Sequence, residues 1–238
     1  MINNIKVEIC VGNVDDAIIA SKYPIDRIEL NSSLELGGIT PSLEVLKYLK
    51  THINTPICCM DRPRGGDFEY SNLEYQIMLN DAKLMLENGA DGVVFGFLKD
   101  NHIDIDRTRT MVELIHSYGK EAIFHKAFDE LEDIDGGCKE LIDLKVDRIL
   151  TSGKAVYPDI LEGCKRINEL VNKYKGQIQL LPGGGVRTHN IIDVIKTSNA
   201  MQIHMTSKKN NEGGYVQLDV KQLEDLLSLI QLVECDNN

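Results

Sequence analysis

Pro56-Ile57-Cys58-Cys59-Met60 is a short apolar run, and Asp61-Arg62-Pro63-Arg64-Gly65-Gly66-Asp67-Phe68 follows it directly. The run reads as a buried strand. Pro63 and the glycine pair cannot continue that strand, so the chain leaves the sheet there. A helix is predicted next, over 71–88. Leu73, Ile77, Leu84 and Leu86 form its apolar side, and Gly89 closes it. The unit is a buried strand, a polar turn and an amphipathic helix, and the fold follows from how often it repeats.

The unit recurs in both directions. Upstream, 5–10 and 26–30 read as strands, with a helix over 14–22 between them. A further helix opens at Thr40-Pro41, where Thr suits the N-cap and Pro the first helical position. Downstream, strands are predicted over 91–97, 121–126, 147–151, 177–181 and 200–204. Helices are predicted over 106–118, 134–144, 158–174, 188–196 and 218–233. Strict alternation at about 30 residues per unit means a parallel sheet. Eight units exceed what an open doubly wound sheet uses, so the expected fold is α/β, one TIM (β/α)8 barrel over residues 1–238.

The totals agree with that size. Lys plus Arg is 26 against 37 Asp plus Glu, a formal charge of −11, which argues against nucleic acid or an anionic membrane as the partner. No apolar run reaches membrane-spanning length, and the N-terminus lacks the basic-then-apolar layout of a signal peptide, so a cytoplasmic location is expected. The six cysteines show no C-x-x-C spacing, which gives no sign of a zinc knuckle or dithiol redox site. Cys58 and Cys59 point to opposite faces of one strand, whereas Cys58 and Met60 share a face. Cys138, Cys164 and Cys235 fall on predicted helices as packing or surface thiols.

In such a barrel, chemistry gathers at the C-terminal ends of the strands. The polar residues converge there: Glu8 and Cys10 on the first strand, Glu29 on the second, Arg62 and Arg64 after the third. His125 and Asp129 follow the fifth, Thr151 and Ser152 the sixth, and His204 lies on the eighth. Gly183, Gly184 and Gly185 follow the seventh, where backbone N–H groups can approach an anion. Arg forks suit carboxylate or phosphate, and His has the pKa for acid–base work. In this reading Arg62, Arg64, Thr151, Ser152, the glycines and His204 bind a small anionic ligand. His125, Glu8, Glu29 and Asp129 are the catalytic set, with His125 oriented by Asp129 or Glu29. Glu8 serves as a second base or holds a divalent ion with Glu29. The plainer reading is a self-satisfied ionic layer plugging the barrel.

Several ordered pieces resemble the CutC family: Val7–Cys10, Asp26–Leu30, Gly37–Ser42, Arg62–Phe68, Phe124–Asp129, Leu150–Gly153 and Gly183–Arg187. The resemblance implies a cytoplasmic, usually oligomeric TIM barrel associated with copper tolerance. It implies Cu(I) as the ion and Cys10 as its thiolate ligand. Some members carry a second Cys just after the second strand, where this chain has Asn31. Barrel enzymes acting on a small anionic or phosphorylated metabolite are the alternative function class.

Overall fold

The computed structural model describes residues 1–209 and 216–233, so the predicted helical thiol Cys235 lies outside the described residues. The elements run β1 (Lys6–Val11), α1 (Val14–Ala20), β2 (Arg27–Leu30), α2 (Leu43–His52), β3 (Ile57–Met60), α3 (Asn72–Glu87), β4 (Gly92–Phe95), β5 (Leu98–Lys99), β6 (His102–Ile103) and α4 (Ile105–Ser117). They continue with β7 (Glu121–Phe124), α5 (Ile134–Asp143), β8 (Arg148–Thr151), α6 (Leu161–Lys173), β9 (Gln179–Pro182), α7 (Ile191–Ser198), β10 (Gln202–Met205) and α8 (Val220–Gln231).

Eight strands pair in parallel in the order β10-β1-β2-β3-β4-β7-β8-β9. Gln202 Nε2 donates to Gln179 Oε1 at 3.3 Å across the remaining seam between β9 and β10. The result is the nearly closed TIM barrel that the alternation predicts. β5 and β6 form a small antiparallel hairpin after β4. They lie just beyond the strand predicted over 91–97, where no strand was expected.

The main core lies between sheet and helices, with Val7, Ile9, Ile28, Leu30, Cys59, Phe95 and Ile149 among its strand residues. A second apolar cluster, Cys58, Met60, Val94 and Ile123, fills part of the barrel interior. Gly92 makes room for it: a Cβ there would meet Ile123 Cδ1 at 2.8 Å and Cys58 Sγ at 3.0 Å.

Two local expectations change. Helix α3 carries two apolar stripes, and the one that packs inward is Met78, Ala82, Met85 and Leu86. Leu73 is 72% exposed, and Ile77 and Leu84 are each 44% exposed. The small Ala82 lets that face approach the sheet. Helix α2 starts at Leu43 behind Ser42 rather than at Thr40-Pro41. The Thr40 hydroxyl instead accepts the Arg62 backbone N–H at 2.9 Å, tying the loop after β2 to the loop after β3.

Candidate functional site

The C-terminal ends of the strands surround a cavity of about 350 Å³, at the small end of ligand pockets. Parallel pairing sets Cys10 beside Glu29 across β1 and β2. It sets Glu8 beside His204 across β1 and β10. One ligand atom each from Cys10, Glu29 and His204 lies within 4.8 Å of the others, and all three residues are buried. Asn31 braces the group, its Nδ2 donating to Glu29 Oε2 at 2.7 Å and to Cys10 Sγ at 3.3 Å.

Glu8 sits beneath this trio and does not line the cavity. Its Oε2 is 2.8 Å from Arg27 Nε, and its Oε1 is 2.8 Å from His204 Nδ1. The Arg148 guanidinium lies 4.0 Å away and also pairs with Glu121 at 2.7 Å. Burial alone would raise the Glu8 carboxyl pKa. The His204 hydrogen bond and the Arg27 and Arg148 charges outweigh that and hold it well below the ordinary carboxylate range. A carboxylate so engaged cannot serve as the second base expected of Glu8. Part of the polar convergence is therefore the ionic plug, built by Glu8 with Arg27 and Arg148. The sequence reading gave neither arginine a role. Alternation does place Arg27 on the face of Glu29, and that signal was available.

The carboxylate contact fixes the imidazole. Glu8 can only accept, so His204 Nδ1 carries a hydrogen and Nε2 faces Glu29, 3.9 Å from its Oε2. Burial pulls the His204 pKa down, but the Glu29 charge and the Glu8 hydrogen bond raise it above its ordinary value overall. Burial, then the Glu29 charge, pushes the Cys10 thiol well up. An ion binding here would displace protons from both groups. A thiolate, an imidazole and a carboxylate make a borderline donor set that fits copper as well as other divalent first-row ions.

Across the barrel stands His125, buried against Phe68 with ring centroids 4.7 Å apart. Gly96 opens the space: a Cβ there would meet the imidazole at 2.5 Å. The Ala127 N–H donates to His125 Nδ1 at 3.1 Å, so the hydrogen sits on Nε2. Nε2 has no partner among the described residues. Neither Asp129 nor Glu29 orients this ring. Burial, aided by the Arg62 charge, lowers the His125 pKa from 6.5 to about 3. The ring is thus a neutral hydrogen-bond donor at physiological pH. NMR titration should find no change of charge at His125 between pH 5 and 8. Because the folded pKa is depressed, the stability this neutral ring contributes is complete above about 6.5. It is lost as the pH falls from there toward about 3.

The other expected residues divide. Arg62 lines the cavity, and its guanidinium donates to the carbonyls of Leu36, Gly38 and Gly66 at 3.0, 3.1 and 2.7 Å. Arg64 points away, paired with Glu74 at 2.7 Å and Asp67 at 3.0 Å, and does not line the cavity. Thr151 and Ser152 also turn from it. Their hydroxyls and the Ser152 N–H hold the Asp129 carboxylate, which also accepts the Lys154 N–H. Asp129 therefore organises the turn after β8. Gly183 packs against His204, whose Cβ lies 3.0 Å from where a Gly183 Cβ would sit, while Gly184 and Gly185 line the cavity. Lys126, Arg187 and Lys208 complete the wall. Lys126, Lys208 and Arg187 stand two, three and five residues past the ends of β7, β10 and β9, and the charge at Lys208 after the last strand was legible in the sequence.

This is a parallel β/α-barrel protein whose mouth combines a metal-compatible trio with four lining cations. The sequence profile of the CutC family matches residues 5–209, and the chain belongs to that family. It is 45% identical over 210 residues to the family protein CutC of Treponema denticola, covering 88% of this chain and 84% of that protein. It is 37% identical over 213 residues to the copper homeostasis protein cutC homolog of Homo sapiens, covering 89% and 77%. The crystal structure of a copper homeostasis protein CutC from Streptococcus agalactiae superposes with a TM-score of 0.78 at 33% identity, covering 84% of this chain and 97% of that one.

Proposed function

We propose that this chain is a cytoplasmic copper-homeostasis protein that binds a copper ion at the barrel mouth. The observation that carries the reading is the convergence of Cys10, Glu29 and His204 within 4.8 Å. The family relatives described as copper homeostasis proteins support it. Copper is cargo here. Cys10 supplies the soft thiolate, His204 Nε2 and a Glu29 oxygen complete the set, and Asn31 and Glu8 hold the ligands in place. Cys58 lies deeper, in the interior apolar cluster, and Asn31 offers an amide beside Cys10 and no second mouth thiol. A single thiolate makes this a moderate Cu(I) site and an equally good Cu(II) site.

The test is an anaerobic Cu(I) competition titration against a strong chelator, with a parallel Cu(II) titration. Wild type should bind one ion per chain, and Cys10→Ser should weaken Cu(I) binding about tenfold or more. Unchanged affinity in the variant would remove Cys10 from the site.

A second reading is favoured by the rest of the lining, where a neutral, unpartnered His125 and four cations border the same cavity. It is a barrel enzyme acting on a small anionic or phosphorylated metabolite. His125 would then polarise an acceptor by hydrogen bonding instead of exchanging a proton.

A further inference from the structure

Four cations line the cavity, Arg62, Lys126, Arg187 and Lys208, against two carboxylates, Glu29 and Glu130. That is the reverse of the chain's −11 balance. Ordinary surface charge would follow the overall composition, so the excess is local to the mouth. Arg62 is 6% exposed, and no carboxylate pairs with it among the described residues. Buried guanidinium groups normally carry such a partner.

The loop after β9 adds backbone donors. Gly184 and Gly185 have φ of +93° and +108°, a conformation that side chains other than glycine rarely adopt. Neither of their N–H groups donates to another group among the described residues, although the Gly183 N–H is used by the Thr151 carbonyl. Lys126 reaches over from the end of β7 and packs on this turn. Its Nζ lies 2.9 Å from where a Cβ on Gly184 would stand. Bare glycine amides, an ammonium group and Arg187 thus meet at one edge of the cavity. His125, adjacent to Lys126 in the chain, lines the same cavity, and its buried Nε2–H has no partner among the described residues.

We infer that this edge is a phosphate subsite, in which Gly184, Gly185, Lys126 and Arg187 hold the phosphoryl group of a small metabolite. The His125 Nε2–H then contacts an acceptor on the metabolite's body. The inference rests on the second reading above and names its ligand class. No copper ligand is among its residues: Lys126 enters from β7, across the barrel from β1, although the glycine turn follows β9 and abuts His204 on β10. A phosphate monoester matches the donors better than a carboxylate: two free glycine amides and the Lys126 ammonium meet at this turn, and Arg187 lines the cavity beside it, which suits three phosphoryl oxygens.

The test uses the full chain at low ionic strength, with inorganic phosphate as probe and acetate as the carboxylate arm, followed by calorimetry or phosphorus NMR. Lys126→Gln and Arg187→Gln are compared with wild type. Thermal unfolding and Cu(I) titration serve as controls for an intact fold and an intact trio. Phosphate should bind more tightly than acetate, and each variant should weaken phosphate binding about tenfold while both controls hold. A loss below about threefold in either variant overturns this subsite and leaves only an anion bound elsewhere. Acetate binding as tightly as phosphate overturns the ligand class. No phosphate or acetate binding by wild type overturns both the subsite and the anionic-ligand reading.

Discussion

Glu8→Gln should lower the unfolding free energy by about 3–5 kcal/mol at neutral pH, the usual cost of breaking a buried ion pair by removing one partner. Glu8 is 2% exposed and Arg27 6%, and Arg148 is fully buried. Gln202 takes one Arg27 N–H at 2.8 Å, but an amide cannot replace the lost charge. Urea unfolding measures the effect as a lower midpoint with an unchanged slope. Glu8→Met combined with Arg27→Met should recover much of the loss, since removing a whole buried pair is often neutral. A loss under about 1 kcal/mol for Glu8→Gln would mean the pair behaves like a solvated surface bridge. The same substitution leaves one acceptor oxygen for both Arg27 and His204 Nδ1, which loosens His204, so copper affinity at the proposed site should fall about 10–100-fold even though Glu8 touches no ion. The pH sign follows from the depressed carboxyl: the contribution is complete above about 4.5 and is lost as the pH falls below it.

That residue also shows where sequence reading stops. The barrel was legible because its signal is periodic: apolar strands, polar turns and amphipathic helices repeat along the chain. Cys10, Glu29 and His204 were legible as mouth residues because they lie near strand ends. Separating Glu8 from Glu29 needs the stagger between strands. Pairing Glu8 with Arg27 and Cys10 with Glu29 puts the two glutamates in successive layers of the interior. One layer is sealed by arginines, and the other opens to the cavity. Single-strand alternation says that a residue faces inward but not how high it stands in the barrel. Arg64 failed for a related reason. It shares a turn with Arg62, yet Glu74 at the first turn of α3 draws it outward. Tertiary partners of that kind leave no mark in local spacing.

Asp61→Leu should raise stability by about 3 kcal/mol near pH 8, and by much less near pH 4, through relief of an unsatisfied buried polar group. Asp61 follows β3 and is fully buried. Its backbone N–H is used by the Val94 carbonyl at 2.8 Å. Its two carboxyl oxygens accept no hydrogen bond from the described residues. Alternation turns the side chain to the helix side of the sheet, away from Met60 and Arg62. Burial, reinforced by the charge of Asp81 on α3, raises its pKa well above the ordinary 3.8. A raised folded pKa means that the fold holds a proton the unfolded chain has released. The stability from Asp61 is therefore complete below about 3.8 and declines as the pH rises through its folded value. Glu8 and His125 act in the opposite sense, so wild type should lose stability in acid through those two and toward alkaline pH through Asp61. In the leucine variant the alkaline decline should flatten while the acid limb stays. Chemical denaturation across that pH range reads both limbs. Destabilisation by leucine at every pH would show that the carboxyl has a partner that matters, and would reverse the assignment. A stabilising result would mean that this chain carries an ionisable group beside its cavity-forming Arg62 loop at a net cost to its fold. Costs of that kind concentrate where a structure serves a ligand as well as its own packing.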